Sequence, residues 1–137
     1  MSTTITVETL VTAPIEKVWN YWTEPTHIKY WNFASDDWCA PNASNHLVVG
    51  GKFSFRMEAK DGSFGFDLEG VYDLVDIHKR IEYTLADGRK VKIEFTTQKG
   101  RCKVLESFEA ELENSKELQR SGWQAILNNF KKYTESN

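Results

Sequence analysis

Cysteine is scarce in this sequence of 137 residues, with only Cys39 and Cys102 present. Two cysteines so far apart, neither of them in a Cys-x-x-Cys pair, exclude the disulfide framework that holds small secreted domains together. Histidine is almost as rare, and no two of the three have the helical spacing of metal ligands. Cys39 and His46 lack a second pair that would complete a zinc site. We therefore predict free thiols and neither a metal nor another cofactor.

An excess of basic residues and a long apolar run are also absent. Lysine and arginine number 17 against 20 aspartate and glutamate residues, a net charge of −3. The basic surface with which proteins bind nucleic acid is therefore not expected. No segment approaches the roughly 18 apolar residues of a membrane-spanning helix, and the first residues alternate instead of forming a signal peptide. We expect a cytoplasmic protein that inserts into no membrane and forms one domain over residues 1–137.

Aromatic residues, by contrast, are abundant. Five Trp, five Tyr and eight Phe make up 13% of the chain, and large rings both fill hydrophobic cores and line concave ligand sites. Apolar residues at 40% and charged residues at 27% match an ordinary globular domain, which at this length can bury a sizeable core. Composition alone leaves core packing and ligand binding both open as the use of the rings.

The first third of the chain predicts one strand followed by two short helices. From Ile5 apolar residues alternate with polar ones, which is the period of a strand. Pro14 and Pro25 each stand where a helix can begin, and apolar residues follow Pro14 at helical spacing. The second helix is predicted to run to about Trp31. Residues 32–45 have no clean period and are predicted to form a loop.

The middle of the chain predicts a meander of antiparallel strands. Between Phe53 and Phe108 the alternation is sustained across strands that are separated by Asp-Gly and Lys-Gly turns. Gly70 breaks the phase within one strand, which indicates a bulge or a sharp bend. The strands share one apolar face, and that face must be buried against another element.

The C-terminal segment predicts a long helix that can supply this cover. Asn114 and Glu117 have the spacing of a capping box, and an apolar stripe then runs from Leu118 to Tyr133. A helix of about 20 residues is ~30 Å long, enough to cross the face of a twisted sheet. We therefore predict an α+β fold in which a curved antiparallel sheet of about six strands wraps around the C-terminal helix.

Several stretches, in this order along the chain, resemble bacterial relatives of the activator of heat-shock protein 90 ATPase. They are residues 12–19 (TAPIEKVW), 70–72 (GVY), 80–89 (RIEYTLADGR), 106–111 (ESFEAE) and 122–133 (GWQAILNNFKKY). The resemblance implies the START and birch-pollen-allergen superfamily, abbreviated SRPBCC, whose fold is called a helix grip. That superfamily includes lipid carriers, polyketide cyclases, hormone receptors and co-chaperones. Its ligands bind along the seam between sheet and helix.

Glu106 is the polar residue that the strand pattern places inside the sheet. It shares the phase of Cys102, Val104 and Phe108, and a buried carboxyl group without a partner is destabilising. We predict that the carboxyl group faces a cavity, where it is either hydrogen-bonded or kept neutral by a raised pKa. The alternative is a bulge or an edge position that turns Glu106 to solvent.

The sequence supports three hypotheses on function. The first is a non-enzymatic binding protein for a small hydrophobic or amphipathic molecule, held between sheet and C-terminal helix, with the short helices around Trp22 and Trp31 closing one end. The second is an enzyme of the cyclase or hydrolase type that uses Glu106, with Tyr72 or Tyr83, as acid and base. The third, implied by the resemblance, is a chaperone-interacting module.

Binding ranks first because catalysis needs at least two convergent polar groups, and the pattern offers only Glu106. No catalytic residue is therefore assigned. The predicted ligand-binding residues lie in the second short helix, at inward strand positions or on the facing stripe of the long helix: Trp31, Phe55, Met57, Phe66, Leu68, Tyr83, Phe95, Glu106, Phe108, Trp123 and Leu127.

Overall fold

The computed structural model describes residues 3–137, so Met1 and Ser2 of the predicted domain lie outside the described part. The elements follow one another in nearly the predicted order. They are β1 (Thr4–Val11), α1 (Ile15–Thr23), α2 (Pro25–Ile28), β2 (Trp38–Asn45), β3 (Lys52–Ala59), β4 (Gly65–Asp76), β5 (Arg80–Leu85), β6 (Lys90–Gln98), β7 (Arg101–Glu109) and α3 (Lys116–Ser136).

The strands form one antiparallel sheet in the order β1-β7-β6-β5-β4-β3-β2. The chain runs from β2 to β7 as a meander of neighbouring strands, and β1 joins the far edge by pairing with β7. The sheet curls into a half-barrel around α3, a helix of 21 residues. The predicted α+β helix-grip fold is confirmed, with seven strands in place of about six.

The core lies between the concave face of the sheet and the apolar stripe of α3. Leu127 and Phe130 of α3 are fully buried, as are Ile81, Ile93 and Val104 on the facing strands. The helices α1 and α2 cover one end of this core with buried residues of their own. Among residues 3–137, no helix is long and apolar enough to cross a lipid bilayer.

The segment predicted as a loop contains an additional strand, β2. This edge strand pairs with β3, and its register shifts between Cys39 and Asn42. Pro41 lies within that interval, and an edge strand tolerates proline because its outer side has no ladder hydrogen bond to lose. The shifted register and the proline hide the period of two. The loop prediction for residues 32–45 was therefore wrong over residues 38–45.

Gly70 in β4 does not mark a bulge, which was one of its two predicted roles beside a sharp bend. The register irregularity between β4 and β5 falls between Tyr72 and Leu74. A Cβ atom at Gly70 would lie 2.6 Å from Cζ of Phe53 and 2.8 Å from the carbonyl oxygen of Thr84. Glycine is therefore required here by the close approach of the Phe53 ring.

The cap of α3 is Ser115, one residue beyond the predicted Asn114. Oγ of Ser115 accepts a hydrogen bond of 3.1 Å from the Leu118 amide. The carbonyl oxygen of Asn114 instead accepts from Nε2 of Gln119 at 2.9 Å, which fixes the approach of the chain to the helix. Asparagine and serine are both good caps, so residue type alone could not separate the two positions.

Candidate functional site

A cavity of about 320 Å³ separates part of the concave sheet from α3. Its walls come from β3, β4, β5 and β7, from Trp123 and Ile126 of α3, and from the chain around α1 and α2. The cavity reaches the protein surface, since its lining includes the exposed residues Phe66 and Asn114. The seam between sheet and helix is therefore partly open in this chain.

The structure brings eight of the eleven predicted ligand-binding residues to the cavity wall. They are Trp31, Phe55, Met57, Phe66, Leu68, Tyr83, Glu106 and Trp123. The strands β3 and β4 contribute two pairs of directly opposite residues, Phe55 with Leu68 and Met57 with Phe66. These four side chains form a continuous apolar patch on one side of the cavity, referred to below as the β3–β4 patch.

Three predicted residues, Phe95, Phe108 and Leu127, belong to the core instead of the cavity wall. Phe95 packs edge-on against Trp19 at 5.3 Å between ring centroids. Phe108 lies under Trp123, ring on ring at 3.9 Å and 9°, so Trp123 covers it. Leu127 is fully buried in the stripe of α3. The period of two shows which face of a strand is inward, but not where along the strand the core ends and the cavity begins.

Packed rings build the end of the cavity beside α1 and α2. Trp22 and Trp31 lie 4.8 Å apart, and the Phe130 ring of α3 stands edge-on to them at 4.9 and 4.8 Å between centroids. Nε1 of Trp31 donates to the carbonyl oxygen of Tyr21 at 2.9 Å. These contacts hold the two indoles in place, so the short helices close this end with a fixed aromatic surface.

Asn32, the residue after Trp31, also lines the cavity. The sequence pattern did not predict it as a site residue. It is only 7% exposed, yet its carboxamide forms no hydrogen bond within residues 3–137. A buried amide without a partner is unfavourable unless water or a ligand satisfies it. Asn32 lies in the segment predicted as a loop, where no period indicated burial. The structure thus adds an amide to the predicted site.

The end of the cavity beside the start of α3 is polar, and its groups bond to one another. Gln119 accepts from the Glu111 amide at 2.9 Å and donates to the carbonyl oxygens of Glu111 and Asn114 at 3.2 and 2.9 Å. The Glu111 carboxylate accepts from the Asn114 amide at 2.7 Å. Nε of Arg89 pairs with the Asp87 carboxylate at 2.7 Å. These groups already have partners, which leaves them less available to a ligand.

Glu106 points into the cavity from β7. It is 5% exposed, and its direct neighbours on the adjoining strands are the buried residues Val7 and Ile93. Its carboxyl group forms no hydrogen bond or ion pair within the described part of the chain. Burial raises the pKa of Glu106 to about 8. The carboxyl group therefore keeps its proton at neutral pH and can donate a hydrogen bond.

Tyr83 lines the cavity from β5, two strands away from β7. Burial, and then the negative charge of Glu106 when it is ionised, raise the pKa of Tyr83 well above its ordinary value. Its hydroxyl group has no hydrogen-bond partner among residues 3–137. The neighbouring Tyr72 donates its hydroxyl proton to Oδ1 of Asn45. Tyr83 is therefore available as a donor, whereas Tyr72 is engaged.

The arrangement offers hydrogen-bond donors in an apolar cavity. Glu106 and Tyr83 both hold their protons at neutral pH, so both can donate a hydrogen bond there, and neither is a ready base. Within residues 3–137, no three His, Cys, Asp or Glu side chains are placed to hold a metal ion. Apolar walls with a few hydrogen-bonding groups are the usual composition of a ligand pocket.

Comparisons with known proteins agree with this fold. The sequence model described as "Activator of Hsp90 ATPase homolog 1-like protein" matches residues 12–135. A protein from Cytophaga hutchinsonii, known from a solution structure, is 56% identical over 97% of this chain and 92% of its own, with a TM-score of 0.84. An AHSA1-like protein from Aeromonas hydrophila is 41% identical over 98% of this chain and 93% of its own, with a TM-score of 0.92.

More distant proteins share the architecture. A protein from Chromobacterium violaceum is 19% identical over 98% of this chain and 99% of its own, with a TM-score of 0.87, which shows the fold alone. No curated protein is significantly similar to this chain in sequence. The family match nevertheless includes every stretch on which the resemblance was based. The chain belongs to the family of activator of Hsp90 ATPase homolog 1-like proteins.

Proposed function

We propose that this protein binds a small hydrophobic or amphipathic molecule between its sheet and α3 without transforming it. The observation that carries the proposal is the cavity of about 320 Å³, because protein interiors are normally packed with few voids larger than a water molecule. The family supports either a ligand-binding or an Hsp90-activator-like module. The cavity favours the first.

The cavity walls supply both of the features that such a site needs. The indoles of Trp22, Trp31 and Trp123, together with the β3–β4 patch, provide apolar area against which a guest can be buried. Glu106 and Asn32 provide buried polar groups whose hydrogen-bonding capacity the described protein leaves unused. A guest can bond to these groups without displacing a hydrogen bond within the described part of the chain.

Filling the cavity tests this proposal. We expect the wild-type protein to bind 2-ethylnaphthalene, an apolar probe, in titration calorimetry. Ile126→Trp places a large ring into the cavity and should abolish binding. Leu118→Trp adds the same ring to the same helix at a position that is 60% exposed, and should leave binding unchanged. Undiminished binding by Ile126→Trp, or no binding by the wild type, would contradict the proposal.

An Hsp90-activator-like role is the second candidate, and the family description favours it. It predicts that the purified protein accelerates ATP hydrolysis by an Hsp90 chaperone from the same host. Steady-state ATPase assays with the chaperone alone, with this protein and with the Ile126→Trp variant would measure the effect. An unchanged rate at saturating protein would remove this candidate, and the calorimetric test of ligand binding would stand independently.

A further inference from the structure

The cavity contains polar groups that the fold leaves without partners. Glu106 and Asn32 are 5% and 7% exposed, and Tyr83 lies in the same wall. None of these three side chains forms a hydrogen bond within residues 3–137 through its carboxyl, amide or hydroxyl group. The polar groups beside the start of α3, by contrast, are bonded to one another. The three unpartnered side chains therefore indicate which hydrogen-bonding groups a ligand must carry.

Glu106 and Tyr83 lie on the concave face at neighbouring inward positions. Glu106 is opposite Ile93 on β6, and Tyr83 is opposite Val91, the next inward residue of the same strand. Adjacent strands lie about 4.8 Å apart, and two residues advance about 7 Å along a strand, so the backbones at Glu106 and Tyr83 are separated by roughly 12 Å. Both side chains reach into the same cavity from a curled sheet, so together they span much of this distance. The effect of the Glu106 charge on the pKa of Tyr83 agrees with such proximity.

We propose that Glu106 and Tyr83 form a pair of hydrogen-bond donors for a carbonyl oxygen, and that the ligand is a neutral amphipathic molecule with a ketone-type carbonyl group. This inference rests on the proposed binding function and specifies the ligand class. A neutral carboxylic acid and a phenol both donate, and a carbonyl oxygen can accept from both through its two lone pairs. Asn32, beside Trp31, offers an amide to a second polar group of the same molecule.

The charged groups around the cavity favour an oxygen acceptor over an ionised guest. The ionisable side chains that face Glu106 across the cavity are Tyr72, Tyr83, Arg89 and Glu111, while α1, α2 and α3 contribute none to the wall. Arg89 is already paired with the Asp87 carboxylate, and the Glu111 carboxylate already accepts from the Asn114 amide. Neither a carboxylate guest nor an ammonium guest would therefore find an unengaged counter-ion in these two side chains.

Matched naphthalene probes separate these ligand classes. They are 2-acetylnaphthalene, 2-ethylnaphthalene, 2-naphthoic acid and 1-(2-naphthyl)ethylamine. Below the pKa of Glu106, we expect the ketone to bind about tenfold more tightly than the hydrocarbon, the gain of one or two net hydrogen bonds. Tyr83→Phe removes only a hydroxyl group, and should reduce this ratio about threefold without weakening the hydrocarbon. Circular dichroism of the variant confirms that its fold is retained.

The preference for the ketone should depend on pH through Glu106. In the wild type, the ratio of ketone to hydrocarbon affinity should fall as pH rises through about 8, because the carboxyl group loses the proton that it donates. In Glu106→Gln, whose amide donates at every pH, the ratio should stay constant.

Several outcomes would overturn the inference. Equal binding of ketone and hydrocarbon, or tightest binding of the amine or the acid, would reject the ketone class and leave the proposed binding function intact. A ratio unaffected by Tyr83→Phe, or a pH-independent ratio in the wild type, would reject the donor pair. Failure of all the probes to bind would reject the inference and the proposed function together.

Discussion

Glu106 couples the stability of the fold to pH, because its pKa of about 8 in the folded protein stands above the ordinary value of 4.5. The native state therefore binds this proton more tightly than the unfolded chain does. The stability that the protonated group contributes is fully present below about pH 4.5. It declines as pH rises toward about 8 and levels off above that value.

Replacing Glu106 by Gln isolates this effect, since the amide does not titrate. The free energy of unfolding of the wild type, relative to that of Glu106→Gln, should fall by on the order of 5 kcal/mol across this pH interval. Chemical denaturation of both proteins at a series of pH values measures the difference, and groups common to both cancel. Parallel stability curves would show that Glu106 is not buried as described.

Two glycines are expected to respond in opposite ways to replacement by alanine. A Cβ atom at Gly70 would collide with the Phe53 ring at 2.6 Å, so Gly70→Ala should destabilise the protein by about 1–3 kcal/mol. Gly122, within α3, has no atom within 4 Å of such a Cβ atom, so Gly122→Ala should stabilise it by up to about 1 kcal/mol. Urea denaturation measures both effects. A stabilising Gly70→Ala would refute the account of the Phe53 contact.

The burial of single residues could be predicted where a sustained alternation of polar and apolar residues showed which side chains face the core. Glu106 lies in the middle of a clear alternation, so its inward position followed from its neighbours on β7. Asn32 gave no such signal, because its burial depends on the folding of the chain around α2 and β2, which has no period. Arg89 reaches the cavity from a turn, and turns are recognised by their backbone chemistry and not by where their side chains point.

At the level of elements, the start of α3 distinguishes two neighbouring caps. Ser115→Ala removes the hydrogen bond to the Leu118 amide and should cost about 1 kcal/mol of stability. Asn114→Ala is the matched control, because the observed bond to Gln119 uses the Asn114 carbonyl oxygen, which alanine retains. Thermal denaturation of both variants gives the comparison. A larger loss for Asn114→Ala would favour the capping box predicted from the sequence.

The elements with regular periods were predictable, and those defined by pairing alone were not. Strands β6 and β7 alternate cleanly because one face of each meets the core, and α3 carries its stripe for the same reason. Strand β2 is held at the edge by hydrogen bonds to β3 across a shifted register, which leaves no repeating pattern of burial. Because backbone hydrogen bonds hold β2 in the sheet, its side chains show no pattern from which the strand could be predicted.

For the whole molecule, the fold could be predicted because a sheet with one apolar face must bury that face against another element. Among the predicted elements, only α3 was long enough to do this. The limits of the cavity did not follow. They depend on which inward rings are covered by others, as Phe108 is by Trp123 and Phe95 by Trp19. Such contacts arise from three elements together, so a one-dimensional period cannot separate the cavity wall from the core.

The claim that a guest occupies this cavity is tested most directly by the indole N–H resonances of an isotope-labelled sample. Trp22, Trp31 and Trp123 line the cavity, whereas Trp19 packs against Phe95 in the core. Titration with 2-acetylnaphthalene should shift the three cavity indoles together, with one common dissociation constant, and leave Trp19 nearly unchanged. Saturable shifts at Trp19 without shifts at the cavity indoles, or no saturable shift at any indole, would contradict the account.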